Sequence, residues 1–140
     1  MNLPLYTAAL GAFIIVLQVV LMVGVGSRRL KGPVIGTGDD KDMERRMRRH
    51  GNLAENAGLF VAVLAIYELL VGQTAYLAAL CILFAVARLS HAAAFSSLAG
   101  SHGEGLTGGR KIFSLFRIVG AFGTLLTALG VAGGIVAELL

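Results

Sequence analysis

The sequence predicts an all-α integral membrane protein, a bundle of four membrane-spanning helices that forms a single domain over residues 1–140. Hydrophobic residues make up 56% of the chain and the mean hydropathy is +0.81, well above what a soluble domain needs for its core. Four apolar runs each come close to the ~20 residues that cross a bilayer as a helix. These runs are Leu3–Gly26, Leu53–Leu70, Gly72–Ala87 continuing to about Leu98, and Ile118–Leu140.

The first apolar run is predicted to remain in the mature protein as a membrane span. No charged residue occurs from Met1 to Ser27. A cleaved signal peptide ordinarily begins with a basic segment, and this one is missing.

The positive charges predict how the chain is oriented in the membrane. All twelve Lys and Arg residues fall in the first or third connection or in the helix ends beside them. By the positive-inside rule those ends are cytoplasmic, so both termini are expected outside the cytoplasm. The basic run RRMRRH is not accompanied by an aromatic surface on which bases could stack, or by a known nucleic-acid recognition motif. No nucleic-acid partner is therefore expected.

The second helix carries the most informative stretch, DDKDMERRMRRHGNLAENAGLF at 39–60. Asp39 or Asp40 is suited to cap this helix, and Asp42 and Glu44 suit the positive end of its dipole. The helix is expected to run for about 30 residues, from Asp40 to Leu70, and to project beyond the membrane.

Four polar residues of this helix are predicted to face one way. At ~100° per residue, Arg48, Asn52 and Glu55 lie within about 60° of one another, and Arg45 joins the same stripe. His50, Arg46 and Arg49 point elsewhere. Polar side chains at the edge of a bilayer are expensive and usually functional, so the stripe is a candidate binding face.

The third helix ends in a second stripe, formed by Arg88, His91 and Phe95 on one face. Arg88 cannot face lipid cheaply and is expected to point into the bundle or a neighbouring subunit. His91 taken alone is typical of a hydrogen-bonded core histidine. The Gly- and Ser-rich segment that follows predicts a mobile connection in which His102 and Glu104 are solvated.

The last helix opens with Arg110, Lys111 and Arg117 before its apolar run. Small residues then recur at three- and four-residue steps, which is typical of a close packing face between helices in lipid. They are Gly120, Gly123, Thr127, Gly130 and Gly134.

The sequence contains one cysteine, Cys81, in the middle of a predicted span. A single buried cysteine provides neither a disulfide framework nor a thiol pair for metal or redox chemistry. No metal site is predicted. A cation site formed by the acidic residues before the second helix is the weaker alternative. Any catalytic sulfur is expected to come from a ligand.

The cytoplasmic helix ends are expected to bring a girdle of polar residues to one level of the membrane. Its cations suit carboxylates or an anionic sulfur, its carboxylate suits an ammonium group, and its amide suits a peptide. A small zwitterionic peptide fits this inventory, and a set of salt bridges with snorkelling anchors is the alternative. The girdle comprises Arg28 or Arg29, Arg45, Arg48, Asn52, Glu55, Arg88, His91 and Arg117.

These motifs resemble the family of membrane-associated proteins in eicosanoid and glutathione metabolism (MAPEG), especially its bacterial members. The second-helix signature of an Arg followed by His-x-Asn-x-x-Glu stands here as Arg45 and then His50-Gly51-Asn52-x-x-Glu55. Arg88-x-x-His91-x-x-x-Phe95 is similar to the third-helix motif, and the segment FRIVG at 116–120 is similar to the opening of the fourth helix.

The resemblance implies a homotrimer with glutathione bound between subunits and a lipophilic substrate that arrives from the membrane lipids. It assigns glutathione binding to Arg48, Asn52, Glu55, Arg88 and His91, together with Arg28 or Arg29. Arg117 best matches the arginine that stabilises the thiolate, and Arg110 is the alternative. His50 is expected to fix helix packing. Phe95 stands where many relatives carry a tyrosine, and Asn56-Ala57-Gly58 lacks their aromatic and proline.

The resulting hypothesis is a glutathione transferase, or a glutathione-dependent peroxidase, of the bacterial inner membrane. An arginine in a partly dry site lowers the pKa of a thiol and so raises its reactive fraction at neutral pH. The alternative is a non-catalytic lipid-binding or assembly protein on the same scaffold, because a fold does not fix a function.

Overall fold

The computed structural model describes residues 3–102 and 108–140, and this part of the chain is built from helices without a strand. Four of the helices are long and apolar enough to cross a membrane, which confirms the predicted all-α bundle with four candidate spans. The helices are α1 (Leu5–Arg29), α2 (Lys41–Val71), α3 (Ala75–Ala94), the short α4 (Leu98–Ser101) and α5 (Gly108–Leu139).

The second helix matches its predicted bounds because the predicted cap forms. The Asp40 side chain accepts hydrogen bonds from the backbone N–H groups of Asp42 (3.0 Å) and Met43 (3.1 Å). These are donors that the first turn of a helix leaves without an intrahelical partner. The helix is 31 residues long, so its charged N-terminal turns extend well past the apolar part.

The third helix begins later and ends earlier than hydropathy predicts. Gly72 adopts a φ of 74°, which ends α2, and Thr74 caps α3 by accepting a hydrogen bond from the Leu77 N–H at 3.2 Å. The helix stops at Ala94 rather than near Leu98. Local capping chemistry, rather than hydropathy, therefore sets these boundaries.

The described part of the segment after α3, residues 95–102, contains a short helix that its composition does not predict. Ser97 caps α4 by accepting a hydrogen bond from the Gly100 N–H at 3.2 Å. The imidazole Nε2 of His102 lies 3.1 Å from Glu44 Oε2, and only 24% of the His102 side chain is exposed. The expectation that His102 is simply solvated is wrong, while Glu104 lies outside the described residues.

The predicted glycine face of α5 packs against α3, as expected. A Cβ atom at Gly123 would lie 2.8 Å from the Ala87 Cβ, and one at Gly120 would lie 2.8 Å from the His91 Cβ. Contacts this short would clash, so the two backbones approach closely because both positions are glycine.

A buried carboxylate joins the far ends of α1 and α2. Glu68 is fully buried and accepts hydrogen bonds from the Tyr6 N–H (3.0 Å), the Thr7 N–H (2.8 Å) and the Thr7 hydroxyl (2.7 Å). Glu68 therefore caps α1 from a neighbouring helix, at the end of the bundle away from the arginines.

The opposite end of the bundle, where α1 and α3 finish and α2 and α5 start, holds the arginines and is called the arginine end below. Three small residues of α2, Ala54, Gly58 and Ala62, lie on the outer surface of the protomer, and Ile66 on the same stripe is 54% exposed. This stripe leaves one face of α2 uncovered beside Glu55.

Candidate functional site

Two adjoining hollows open at the arginine end, on the outer side of α2. The first, called the Glu55 hollow, has a volume of about 450 Å³ and is lined by Met47, Arg48, Gly51, Asn52, Glu55, His91 and Phe95. The second, called the Arg117 hollow, has a volume of about 310 Å³ and is lined by Glu44, Arg45, Arg48, Phe95, Ser101, His102 and Arg117. Both volumes are in the range of small-molecule sites.

Arg48 and Phe95 line both hollows, so the two spaces share a wall. Arg48 is exposed and makes no hydrogen bond or ion pair within the described ranges 3–102 and 108–140. Glu55 is likewise exposed and unpaired within those ranges. The site therefore presents one cation and one carboxylate that the protomer does not use, about two turns apart on one helix.

Arg117 reaches the second hollow from α5. Its guanidinium donates a hydrogen bond to the Ser114 hydroxyl at 3.2 Å and lies 5.9 Å from the centre of the Phe95 ring. A cation over an aromatic face is held electrostatically and keeps other N–H groups available. Arg110 lies two turns earlier in α5 and is not among the residues lining either hollow.

The end of α3 supplies the wall between the hollows. The rings of His91 and Phe95 lie 5.2 Å apart, and the Phe95 backbone carbonyl accepts a hydrogen bond from Arg45 Nη1 at 2.9 Å. Arg45 is only 9% exposed, and its other terminal nitrogen donates to the Asp42 carboxylate. Arg45 therefore fixes α2 to the end of α3 and contributes a buried charge to the Arg117 hollow.

Arg88 lies inside the protomer rather than in a hollow. It is 3% exposed and donates to the Asn52 side-chain carbonyl (3.0 Å), the Gly120 carbonyl (3.3 Å) and the Thr124 hydroxyl. It thus joins α2, α3 and α5, in keeping with the expectation that it avoids lipid. This contact also orients Asn52, whose amide nitrogen makes no hydrogen bond within the described part of the chain.

Arg28 and Arg29 lie at the end of α1 and line neither hollow of their own protomer, although Arg29 contacts Met47 at the edge of the Glu55 hollow. Arg28 Nε donates to Asp40 Oδ2 at 2.8 Å, and this pairing holds the pKa of the Asp40 carboxyl below its usual range. Arg29 donates to the Val34 carbonyl and, at 3.6 Å, to the Met47 sulfur. Within one protomer both arginines hold the first connection in place.

The structure adds five residues that the sequence interpretation did not include, and two of them, Met47 and Gly51, line the Glu55 hollow. Glu44, Ser101 and His102 line the Arg117 hollow, because α4 folds back over the start of α2. The signal that was available is the Ser97 cap, which marks a helix start inside a segment interpreted as a loop.

His50 lies apart from the hollows, where α2 contacts α1. His50 Nε2 lies 2.7 Å from the Gln18 amide nitrogen, a contact that joins α2 to α1 as the expected packing role requires.

An apolar groove of about 410 Å³ runs between α1 and α3 near the far end of the bundle, beside the buried Cys81. No cluster of metal-ligating side chains occurs among the residues described by the structure.

The fold and site together define a helical membrane protein with several candidate spans and with the arginine-lined Glu55 and Arg117 hollows at one end. The MAPEG family model matches residues 6–137, nearly the whole chain, and the protein belongs to the MAPEG family. This family includes glutathione transferases and related proteins. Neither a curated protein nor a solved structure gives a significant match to this chain.

Proposed function

We propose that this protein is a membrane-embedded glutathione transferase, in which the Glu55 and Arg117 hollows together hold glutathione. The observation that carries the proposal is the arrangement of an unpaired carboxylate, Glu55, and two cations, Arg48 and Arg117, around two joined spaces. Glutathione carries one ammonium group, two carboxylates and a thiol, and this inventory offers a partner to the ammonium group, to one carboxylate and to the thiol.

The geometry supports a division of labour. Glu55 binds the ammonium group, and Arg48 binds a carboxylate. The free amide nitrogen of Asn52 donates a hydrogen bond to a peptide carbonyl. His91 and Phe95 form the wall against which the tripeptide lies. Arg88 acts through Asn52 and is a positioning residue, since its two terminal nitrogens donate hydrogen bonds inside the bundle.

Arg117 is the residue we assign to the thiolate. The bound tripeptide supplies the sulfur nucleophile, and a guanidinium beside it favours the ionised form over the neutral one. The attack forms a sulfur–carbon bond and expels the leaving group of a lipophilic electrophile. The same thiolate attacking a peroxide oxygen would break the O–O bond to give an alcohol and a glutathione sulfenic acid. A second glutathione would then convert the sulfenic acid to glutathione disulfide and water, so the second reaction class is glutathione-dependent peroxide reduction.

The proposal includes a homotrimer embedded in the inner membrane, with the arginine end cytoplasmic and both termini outside. What supports the orientation is the confinement of Lys and Arg to that end. What supports assembly is the exposed Ala54, Gly58 and Ala62 stripe next to Glu55, because small residues let a second helix approach closely. A neighbouring α1 on that face would bring Arg28 or Arg29 to the Glu55 hollow.

Calorimetry with Glu55→Gln tests the binding half of the proposal. The variant removes a charge-assisted contact to the ammonium group and should weaken glutathione binding by about 1–3 kcal/mol. Asp39→Asn is the matched control, since Asp39 is an exposed carboxylate of the first connection, outside both hollows.

The proposal fails if wild-type protein does not bind glutathione, and the lipid-binding or assembly alternative then stands. Equal affinities for the Glu55→Gln and Asp39→Asn proteins would remove Glu55 from the site.

A further inference from the structure

A third hollow at the arginine end lies on the other side of α2, between α1, α2 and the end of α3. It has a volume of about 170 Å³ and is lined by Val20, Leu21, Gly24, Arg45, Arg46, Arg49 and Ser96. None of these residues lines the Glu55 hollow, and Arg45 alone also lines the Arg117 hollow. We call it the Arg49 hollow.

The charges around the Arg49 hollow are unbalanced. Arg45 and Arg46 both bind Asp42, whose second oxygen, Oδ2, lies 2.7 Å from Arg46 Nε and also 3.7 Å from Arg28 Nε. The carboxylate of Asp42 is thus fully engaged, and no carboxylate among the described residues contacts Arg49.

Arg49 is placed where its charge is unfavourable without a partner. It stands three residues after Arg46 and four after Arg45, the spacings at which like charges on a helix repel. Its Nε is buried and makes no hydrogen bond, and the same is true of Nε of Arg45, which is 9% exposed. Buried N–H donors without acceptors are costly, so the arrangement is suited to an external acceptor.

The other cations of the hollow are already oriented. Arg46 Nη1 donates to the Gly24 carbonyl at 2.9 Å, and Arg45 Nη1 donates to the Phe95 carbonyl at 2.9 Å. Two arginines with fixed guanidinium groups, one arginine with an unpaired guanidinium, and Ser96 therefore line one small space. Guanidinium groups bind phosphate and related oxyanions through paired N–H donors.

The size of the hollow selects the ligand class. A volume of 170 Å³ corresponds to roughly five or six waters. A tripeptide needs more space than this, whereas a tetrahedral oxyanion of five heavy atoms fits. Gly24 lies five residues before the end of α1, about 7 Å along its axis, which places the hollow near the headgroup boundary.

We propose that the Arg49 hollow binds a phosphate-type oxyanion, separately from the glutathione site. The rim suits an anion that carries acyl chains, because Val20 is 60% exposed on the outer surface of α1. Two sources share this chemistry, the phosphate of an anionic phospholipid headgroup and free inorganic phosphate. Binding neutralises three mutually repelling arginines of α2 beside α1 and so stabilises the folded protein.

Thermal unfolding followed by circular dichroism tests the site on the full-length protein. In one arm, neutral detergent micelles receive phosphatidylglycerol, and in another they receive inorganic phosphate, with chloride matching the ionic strength. We expect at least one of these anions to raise the melting temperature of the wild type, and the arm that does so identifies the source.

Arg49→Gln is the decisive variant, and Lys111→Gln is its matched control. Both remove one positive charge at the arginine end, but Lys111 lies on the exposed start of α5, outside the hollow. We expect Arg49→Gln to weaken the apparent affinity for the anion at least about tenfold, the effect of losing one charge-assisted contact. Lys111→Gln should respond to the anion as the wild type does.

The anion-free measurement separates binding from a structural role. Without phosphate, Arg49→Gln should melt at the same temperature as the wild type or higher, because it relieves repulsion from Arg45 and Arg46. The proposal is overturned if neither anion stabilises the wild type, or if Arg49→Gln and Lys111→Gln respond equally. Glutathione binding by the same proteins, measured in parallel, reports independently on the other site.

Discussion

Arg45 and Arg48 show how neighbouring positions of one polar stripe acquire different roles. Arg45 faces the end of α3, is 9% exposed and uses its terminal nitrogens on the Phe95 carbonyl and on Asp42. Arg48 lies one turn further along, at the edge that the protomer leaves open, and lines both outer hollows. The first residue stabilises the arginine end, and the second is available for a ligand.

Arg88 has a structural role that its removal should reveal. Arg88→Gln should lower the free energy of unfolding by about 2–3 kcal/mol, because the acceptors on Asn52, Gly120 and Thr124 lose a buried cationic donor. Denaturant unfolding of the detergent-solubilised protein, followed by circular dichroism, measures the change.

Arg48→Gln is the matched control for Arg88→Gln, since it removes the same charge from an exposed, unpaired position. Its unfolding free energy should stay within about 0.5 kcal/mol of the wild type. Equal losses of unfolding free energy in the two variants would contradict the assignment of Arg88 as a residue that stabilises the contacts between helices inside the bundle.

At the scale of helices, the contact between α3 and α5 depends on glycine at particular positions. Gly123 faces Ala87, whereas Gly133 on the same helix has no atom within 4 Å of where its Cβ would be. The two glycines therefore allow the same substitution to be made in the contact and outside it.

Gly123→Ala should destabilise the protein by about 1–3 kcal/mol, because the new methyl group would lie 2.8 Å from the Ala87 Cβ. Gly133→Ala should be neutral or stabilising by up to about 1 kcal/mol, since alanine is the better helix former. Melting temperatures of both variants test this, and a loss of stability in Gly133→Ala alone would contradict the helix pairing.

The helices also show what could be predicted from sequence. Hydropathy located all four spans, and the acidic residues before α2 predicted a cap at Asp39 or Asp40, of which Asp40 forms it. Hydropathy did not predict α4, because Ser97 and Gly100 read as loop residues until their neighbours are known. At Gly100 an added Cβ would lie 2.6 Å from the Ala94 carbonyl and 2.8 Å from Phe113, so tertiary packing determines this turn.

The candidate site was predictable in composition but only partly in geometry. Helical periodicity placed Arg48, Asn52 and Glu55 on one face, and these three residues line one hollow. Periodicity also placed Arg88 beside His91, but the 60° between them is enough to send Arg88 into the bundle and His91 to the hollow. The unpaired state of Arg49 could not be predicted, because the hollow beside it depends on how α1 packs.

At the scale of the whole molecule, the outer hollows lie at an edge rather than inside the protomer. Glu55 and Arg48 are exposed, and the small residues beside them leave α2 uncovered. The apolar groove between α1 and α3 lies toward the other end of the bundle, so it does not lead into these hollows. A proposed neighbouring subunit would close the site and leave the membrane side open to a lipophilic substrate.

The central claim is that Arg117 stabilises a thiolate of bound glutathione. Ultraviolet absorbance of the thiolate, followed across a pH series with glutathione bound, measures this directly in wild type, Arg117→Ala and Arg110→Ala. A free thiol has a pKa near 8.5, and a nearby cation lowers it. The wild type should therefore show thiolate well below pH 8, and Arg110→Ala should resemble it.

Arg117→Ala should shift the thiolate titration to higher pH and reduce turnover at neutral pH at least about tenfold, with part of the rate recovered as the pH rises. Glutathione binding should fall less than turnover, because Arg48 and Glu55 remain. A shift in Arg110→Ala with none in Arg117→Ala would move the role two turns toward the start of α5. Absence of thiolate below pH 8 in the wild type would contradict the transferase account.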